Sequence, residues 1–172
     1  MDLNDILHLD VVKQLNIRRY LREIVRAEAK RKPQVGLLID GPNIIRKEFQ
    51  INLADVRKKA RKYGEIKIAK AFLNQHAKDK LIEAVTNQGF EPIMSISDDV
   101  DVELAVEAMD MVSSNKIDVL ALVTRDGDFL PVVRRAKERN KKVILIGVNP
   151  GLSLALKNAA DKTEILQKRK LF

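Results

Sequence analysis

Apolar, β-branched runs alternate along most of the chain with polar stretches whose apolar positions recur at helical spacing. Val35-Gly36-Leu37-Leu38-Ile39 predicts a buried strand that ends at Asp40. Gly41-Pro42-Asn43 then predicts a tight turn, and Leu53, Val56 and Ala60 mark a helix closed by Gly64. Ile66 to Phe72 is the second predicted strand. Asp79 to Gln88 is a helix stopped by Gly89, and Phe90 to Met94 is the third strand. Ser97-Asp98-Asp99-Val100-Asp101 opens a helix whose inner face is expected to be Val102, Ala105, Val106 and Met109. Asp118 to Val123 reads as the fourth strand, 130–140 as a basic helix and Val143 to Gly147 as the fifth strand. A last helix is expected around Leu152 to Asn158, with a short sixth strand at Ile165-Leu166. Strands that alternate with helices in this way predict an α/β fold: a mostly parallel sheet of five or six strands with helices on both faces.

Residues 1–33 do not follow that alternation. Val12, Leu15, Leu21, Ile24 and Val25 form an apolar stripe, and Arg18, Arg19, Arg22, Arg26, Lys30, Arg31 and Lys32 make the rest basic, until Pro33 stops the pattern. This predicts an added N-terminal helix. The expected organisation is a basic helical extension, 1–33, and an α/β domain, 34–172, which is expected to fold without the extension. The extension reads as a solvated helix on the flank of the domain, a nucleic-acid-binding arm, or a helix that pairs two copies into a homodimer.

The chemistry is expected at the carboxyl ends of the strands, where open α/β sheets bind their ligands. Asp40 ends the first strand. Asp126 and Asp128 follow the fourth, in Thr124-Arg125-Asp126-Gly127-Asp128-Phe129-Leu130-Pro131, and Asp101 lies in the first turn of the helix after the third. Each aspartate also suits a turn or a helix cap, and for Asp98 and Asp99 capping is the preferred reading. If the first and fourth strands are neighbours where the strand order reverses, the other four carboxylates share one crevice, with Asp40 and Asp126 closest. Clustered carboxylates ionise together only at a cost, and a hard divalent cation, Mg²⁺ or Mn²⁺, supplies the counter-charge. Asn43, just beyond the first strand, is placed to hydrogen-bond a metal-bound water or a phosphate oxygen; it equally suits a turn.

Charge adds a partner to this picture. The 172 residues carry a formal net charge of +8, which favours polyanions. Basic residues gather at Arg46, Lys47, Arg57, Lys58, Lys59, Arg61, Lys62, Lys67, Lys70, Lys78 and Lys80, and again from Arg134 to Lys142, whereas 97–110 is purely acidic. An acidic pocket with basic surroundings suits phosphate contacts beside a metal site, although most of these cations are expected to be ordinary solvated helix faces. Aromatic residues are only 4%, so base stacking is limited, and Phe49, Phe72 and Phe129 are expected in the core. The absence of cysteine excludes disulfides and thiolate chemistry, and His8 and His76 are too few and too far apart for a histidine-rich zinc site. No apolar run approaches the length of a membrane span, and Asp2, Asp5 and Asp10 do not suit a signal peptide, so a cytoplasmic protein is expected. Neither a glycine-rich dinucleotide fingerprint nor a Walker lysine motif is present, and no nucleotide cofactor is expected. Pro42 stands where a haloacid-dehalogenase-like phosphatase needs its second aspartate. Leu38-Ile39 stands where a receiver domain needs an acidic pair.

Three strings in order, 37–43 (Leu-Leu-Ile-Asp-Gly-Pro-Asn), 100–109 (Val-Asp-Val-Glu-Leu-Ala-Val-Glu-Ala-Met) and 124–131, resemble the NYN domain, a PIN-like nuclease family that includes LabA-type proteins. The resemblance covers roughly 34–166. It implies a PIN-like fold, dependence on Mg²⁺ or Mn²⁺ and cleavage of RNA, with Asp40, Asp101, Asp126 and Asp128 as the acidic metal-binding and catalytic set and Asn43 beside it. Thr124 replaces the serine of many members and keeps a hydroxyl. Arg125 replaces a frequent glycine, and its long basic side chain is expected either to touch phosphate or to fill part of the site. The competing reading is a PIN-like RNA-binding or scaffold protein with little turnover, and a DNA-directed nuclease is a third.

Overall fold

The computed structural model describes residues 17–23, 26, 31–46 and 48–167. The chain divides into two compact units, 1–32 and 33–172. In the first, residues 17–23 form helix α1, which carries an Arg19–Glu23 ion pair of 3.3 Å. Val12, Leu15, Ile24, Val25 and His8 lie outside the described residues.

In the second unit six strands form one sheet: β1 (Gln34–Asp40), β2 (Glu65–Leu73), β3 (Glu91–Met94), β4 (Val119–Val123), β5 (Lys142–Gly147) and β6 (Lys162–Ile165). Their order is β3-β2-β1-β4-β5-β6, and every pairing is parallel. The two central strands read as continuous apolar runs because both of their faces are covered: Val35, Leu37, Leu38 and Ile39 of β1 and all of β4 are buried. Helices α3 (Leu53–Arg61) and α4 (Asp79–Asn87) pack on one face through Leu53, Val56, Ala60 and Val85. Helices α5 (Asp101–Ser113), α6 (Leu130–Glu138) and α7 (Leu154–Ala159) cover the other through Leu104, Met111, Val133 and Leu156. Each such aliphatic side chain contributes about 1.5–3 kcal/mol by leaving water, which is what holds the strand ends in fixed register.

The chain builds outward from β1 to β3, then α5 carries it back to β4 on the far side of β1. Strand order therefore reverses between β1 and β4, where Ile39 pairs with Val123. Helix α5 lies against β1 and β4, so its first residue, Asp101, is delivered to that reversal point.

Two local expectations are corrected. Gly41-Pro42-Asn43, expected as a tight turn, is the start of a one-turn helix, α2 (Gly41–Ile44), with Asp40 as its cap. Proline in the first turn suits this, because its missing N–H has no partner there in any helix. Gly41 is required by close approach: a Cβ there would lie 2.3 Å from the Phe72 carbonyl oxygen of β2. The second correction concerns α5. Its buried face is Leu104, Ala108, Met111 and Val112, while Val102 and Val106 are 71% and 58% exposed. The helix carries two apolar stripes, and periodicity does not choose between them. Val100, buried just before the first turn, lies four residues ahead of Leu104 and extends the inward stripe.

Candidate metal centre

Asp40 and Thr124 follow the paired residues Ile39 and Val123, so they stand side by side at the carboxyl end of the sheet. The Thr124 hydroxyl donates to Asp40 Oδ2 at 2.8 Å, and the Asn43 backbone N–H donates to Asp40 Oδ1 at 3.1 Å. Both residues are buried, with Asp40 only 2% exposed. Burial pushes the Asp40 pKa up. The two hydrogen bonds work against that rise, and the negative charges of Asp126 and Asp99 add to it.

Beyond Thr124 the backbone turns sharply. Asp126 caps a single 3-10 turn, Gly127–Phe129, its Oδ1 accepting from the Asp128 N–H at 3.0 Å, and Thr124 Oγ1 accepts from the Asp126 N–H at 3.1 Å. Phe129 is buried and anchors the turn, so Asp126 and Asp128 are held outward from a fixed base. Across the crevice the Asp101 N–H is bound by Asp99 Oδ1 at 2.9 Å, which steadies the start of α5.

Asp101, Asp126 and Asp128 each place one carboxylate oxygen within 4.8 Å of the others. Among the described residues none of the three has an ion-pair partner. Asp101 registers the consequence. Burial, then the charges of Asp40, Asp99, Asp126 and Asp128, push its pKa from 3.8 up to about 6. Oxygens around one Mg²⁺ at about 2.1 Å lie within about 4.2 Å of each other, so a modest adjustment of three carboxylates accommodates a hard divalent ion. The donor set is all oxygen and anionic, which fits Mg²⁺ or Mn²⁺.

The structure thus brings together three of the four aspartates singled out from sequence, and Asp40 stands outside that group. Its oxygens are engaged by Thr124 and Asn43, one layer beneath the crevice, and its charge reaches Asp101 and Asp126 from there. The Asn43 side chain does not meet the carboxylates either: its Oδ1 accepts from Arg125 Nε at 3.1 Å. Arg125 also donates to the Pro150 carbonyl at 3.1 Å and stacks over Phe49, its guanidinium carbon 4.5 Å from the ring centroid. Asn43 therefore sets the aim of a cation at the rim. Sequence reasoning placed Thr124 next to the site but gave no sign that it holds Asp40; that needed the β1–β4 register. Phe49 is a core residue, as expected, and is also the platform for Arg125.

The NYN domain profile matches residues 34–167. The chain belongs to the NYN domain family. Membership brings a nuclease-type fold, and nucleases of such folds usually use divalent metals. An uncharacterised protein of Methanocaldococcus jannaschii is 55% identical over 141 residues, covering 81% of this chain and 58% of that protein. This NYN chain thus spans a little over half the length of that relative. A crystal structure of a protein of unknown function from Vibrio parahaemolyticus superposes with a TM-score of 0.70 at 25% identity, over 79% of this chain and 94% of that one. Among the described residues of this NYN protein, no helix is long and apolar enough to cross a membrane.

Proposed function

We propose that this NYN protein is a Mg²⁺- or Mn²⁺-dependent ribonuclease that hydrolyses RNA phosphodiester bonds at Asp101, Asp126 and Asp128. The observation that carries the reading is three converging carboxylates with no ion-pair partner among the described residues, one of them pushed up to a pKa of about 6. Such a group is costly to assemble unless something cationic is to be bound. A divalent ion held there would lower the pKa of an attacking water and neutralise charge growing on the phosphate.

The residues of the chain do the rest. Asp126 and Asp128 are presented from a turn fixed by Phe129, and Asp101 from a helix start fixed by Asp99, so the three are pre-oriented. Asp40 adds negative charge from beneath and holds the Thr124 hydroxyl and the start of α2 in place. Arg125, clamped by Asn43, Pro150 and Phe49, supplies a positioned cation for a phosphate oxygen of the bound strand.

The deciding experiment is cleavage of an end-labelled single-stranded RNA with Mn²⁺, with EDTA, and with the Asp126→Asn protein. Cleavage is expected only in wild type with metal. Cleavage that continues in EDTA, or at the wild-type rate in Asp126→Asn, overturns the mechanism; RNA bound but uncut in every arm makes the protein a binding module.

A further inference from the structure

At the start of α2, lined by Gly41 and Pro42, lies a cavity of about 530 Å³. Its size falls within the roughly 300–1,000 Å³ of sites that hold small organic groups. The walls are mostly apolar: Ile45 beyond α2, Ile51 before α3, Leu73 at the end of β2 and Leu81 in α4. Asn74 places an amide among them. Among the described residues, the charged ones that line the cavity are all basic, namely Arg46, Lys78 and Lys80. Lys78 and Lys80 are exposed and, among the described residues, form no ion pair. Arg46 is held in place by its Nε donating to the Pro42 carbonyl at 2.7 Å and is paired with Glu48 at 3.7 Å.

Two features tie this cavity to the carboxylates. Gly41, which lines it, directly follows Asp40. His76, which also lines it, lies 2.9 Å from Asp98, and Asp98 belongs to the loop leading into Asp101. The cavity and the carboxylates are thus joined through the start of α2 and the loop into α5. An apolar slot with an amide in its wall and two lysines, Lys78 and Lys80, that form no ion pair among the described residues suits a flat heterocycle carried on a phosphate backbone. A base held in a duplex cannot enter such a slot without leaving its stack.

We propose that this cavity is a nucleobase subsite, which takes one unpaired base of the RNA next to the phosphate held at the carboxylates and so restricts the enzyme to single-stranded segments. The inference rests on the nuclease reading above. The flanking phosphates pair with Lys78 and Lys80, and the base lies against Ile45, Ile51 and Leu81.

The test is run in EDTA, so that binding is read without cleavage. Single-stranded RNA oligonucleotides carrying one 2-aminopurine, moved position by position, are titrated with the full-length wild-type protein. At one position the emission is expected to rise severalfold as the base leaves its stacked neighbours. Ala77→Phe, which fills the slot, is expected to abolish that rise and lower the affinity for the single strand about tenfold, while affinity for the matching duplex changes little. Emission that is unchanged at every position overturns the subsite, as does a folded Ala77→Phe protein that binds the single strand as wild type does. The nuclease reading fails separately, through cleavage that ignores EDTA or Asp126→Asn, and those outcomes leave the emission data standing.

Discussion

Glu164 and Asp101 are partly buried carboxylates at two corners of the same unit, and their surroundings push them in opposite directions. Glu164, on the edge strand β6, receives hydrogen bonds from Lys59 and Lys62 at 3.0 Å and from the Tyr63 hydroxyl at 2.8 Å. Burial works to raise its pKa, but these donors outweigh it and pull the value down to about 2. Tyr63 is pushed up to about 12, by burial first and then by Glu164. At Asp101 burial acts in the same upward sense, yet the neighbours are Asp40, Asp99, Asp126 and Asp128, and they reinforce it. One acid is fully compensated by the fold and ties α3 to β6. The other is left uncompensated at the point where strand order reverses, where the proposed divalent ion would complete the charge balance.

The same contrast runs through the basic residues. Many of the cations that make the chain positive serve the fold: Arg57 donates to the Gly89 carbonyl, Lys70 pairs with Glu107 at 2.8 Å, Lys137 pairs with Asp161, and Lys141 donates to the Ser114 and Ile117 carbonyls. Lys78 and Lys80, by contrast, line the cavity and form no ion pair among the described residues, while Arg125 is held at the rim by Asn43, Pro150 and Phe49. Net charge predicts the class of partner, and position decides which charges are free to meet it.

The sharpest way to break the comparison is Asp126→Asn. If the uncompensated corner is the catalytic one, metal-dependent RNA cleavage should fall at least about a hundredfold, or about 2.7 kcal/mol, with the metal-free protein melting no lower than wild type. Single-turnover assays and thermal melts in EDTA check both halves.

Glu164→Ala is the counterpart at the compensated corner. It strips Lys59, Lys62 and Tyr63 of their shared acceptor and should cost about 2 kcal/mol, lowering the melting temperature by about 4–8 °C. The effect should be present above pH 4.5 and shrink as pH falls toward 2, because the folded pKa lies below the ordinary one. Cleavage per folded molecule should not change.

Asp101→Asn should do the reverse to stability. A pKa raised from 3.8 to about 6 means that ionisation destabilises the metal-free fold; the penalty is absent below about pH 4 and complete above about pH 6. Allowing for solvent screening of a partly exposed group, the variant should gain about 1 kcal/mol, or about 2–4 °C, at pH 7 and nothing at pH 4. Melts at the two pH values in EDTA measure it. Added Mn²⁺ should raise the melting temperature of wild type more than that of the variant.

The smallest effect is expected from Asn43→Ala, which removes one of three restraints on Arg125. Turnover should fall about threefold, or about 0.6 kcal/mol, with little loss of stability. A large drop in melting temperature at unchanged turnover would instead make Asn43 a structural residue of α2.

How much of this was legible varies by element. The strands were readable because β1 and β4 are apolar on both faces, which leaves little ambiguity in their extent. The face of α5 was not, because Val102 and Val106 make as regular a stripe as Leu104, Ala108 and Met111, and only packing against β1 and β4 selects one. The aspartates were visible as strand-end residues, and the division of labour among them was not: whether Asp40 joins Asp126 or lies beneath it depends on the Thr124 hydroxyl across the β1–β4 pair.

The sequence by itself determined the alternation of strands and helices, the basic balance, and the positions of carboxylates where strands end, because periodicity, burial preference and turn chemistry are local properties. Tertiary structure decided which carboxylates converge, which cations are spent on the fold, and where a cavity opens at the start of α2. Those outcomes depend on strand order and register, which bring together residues as distant along the chain as Asp40 and Thr124, and no local pattern encodes their separation in space.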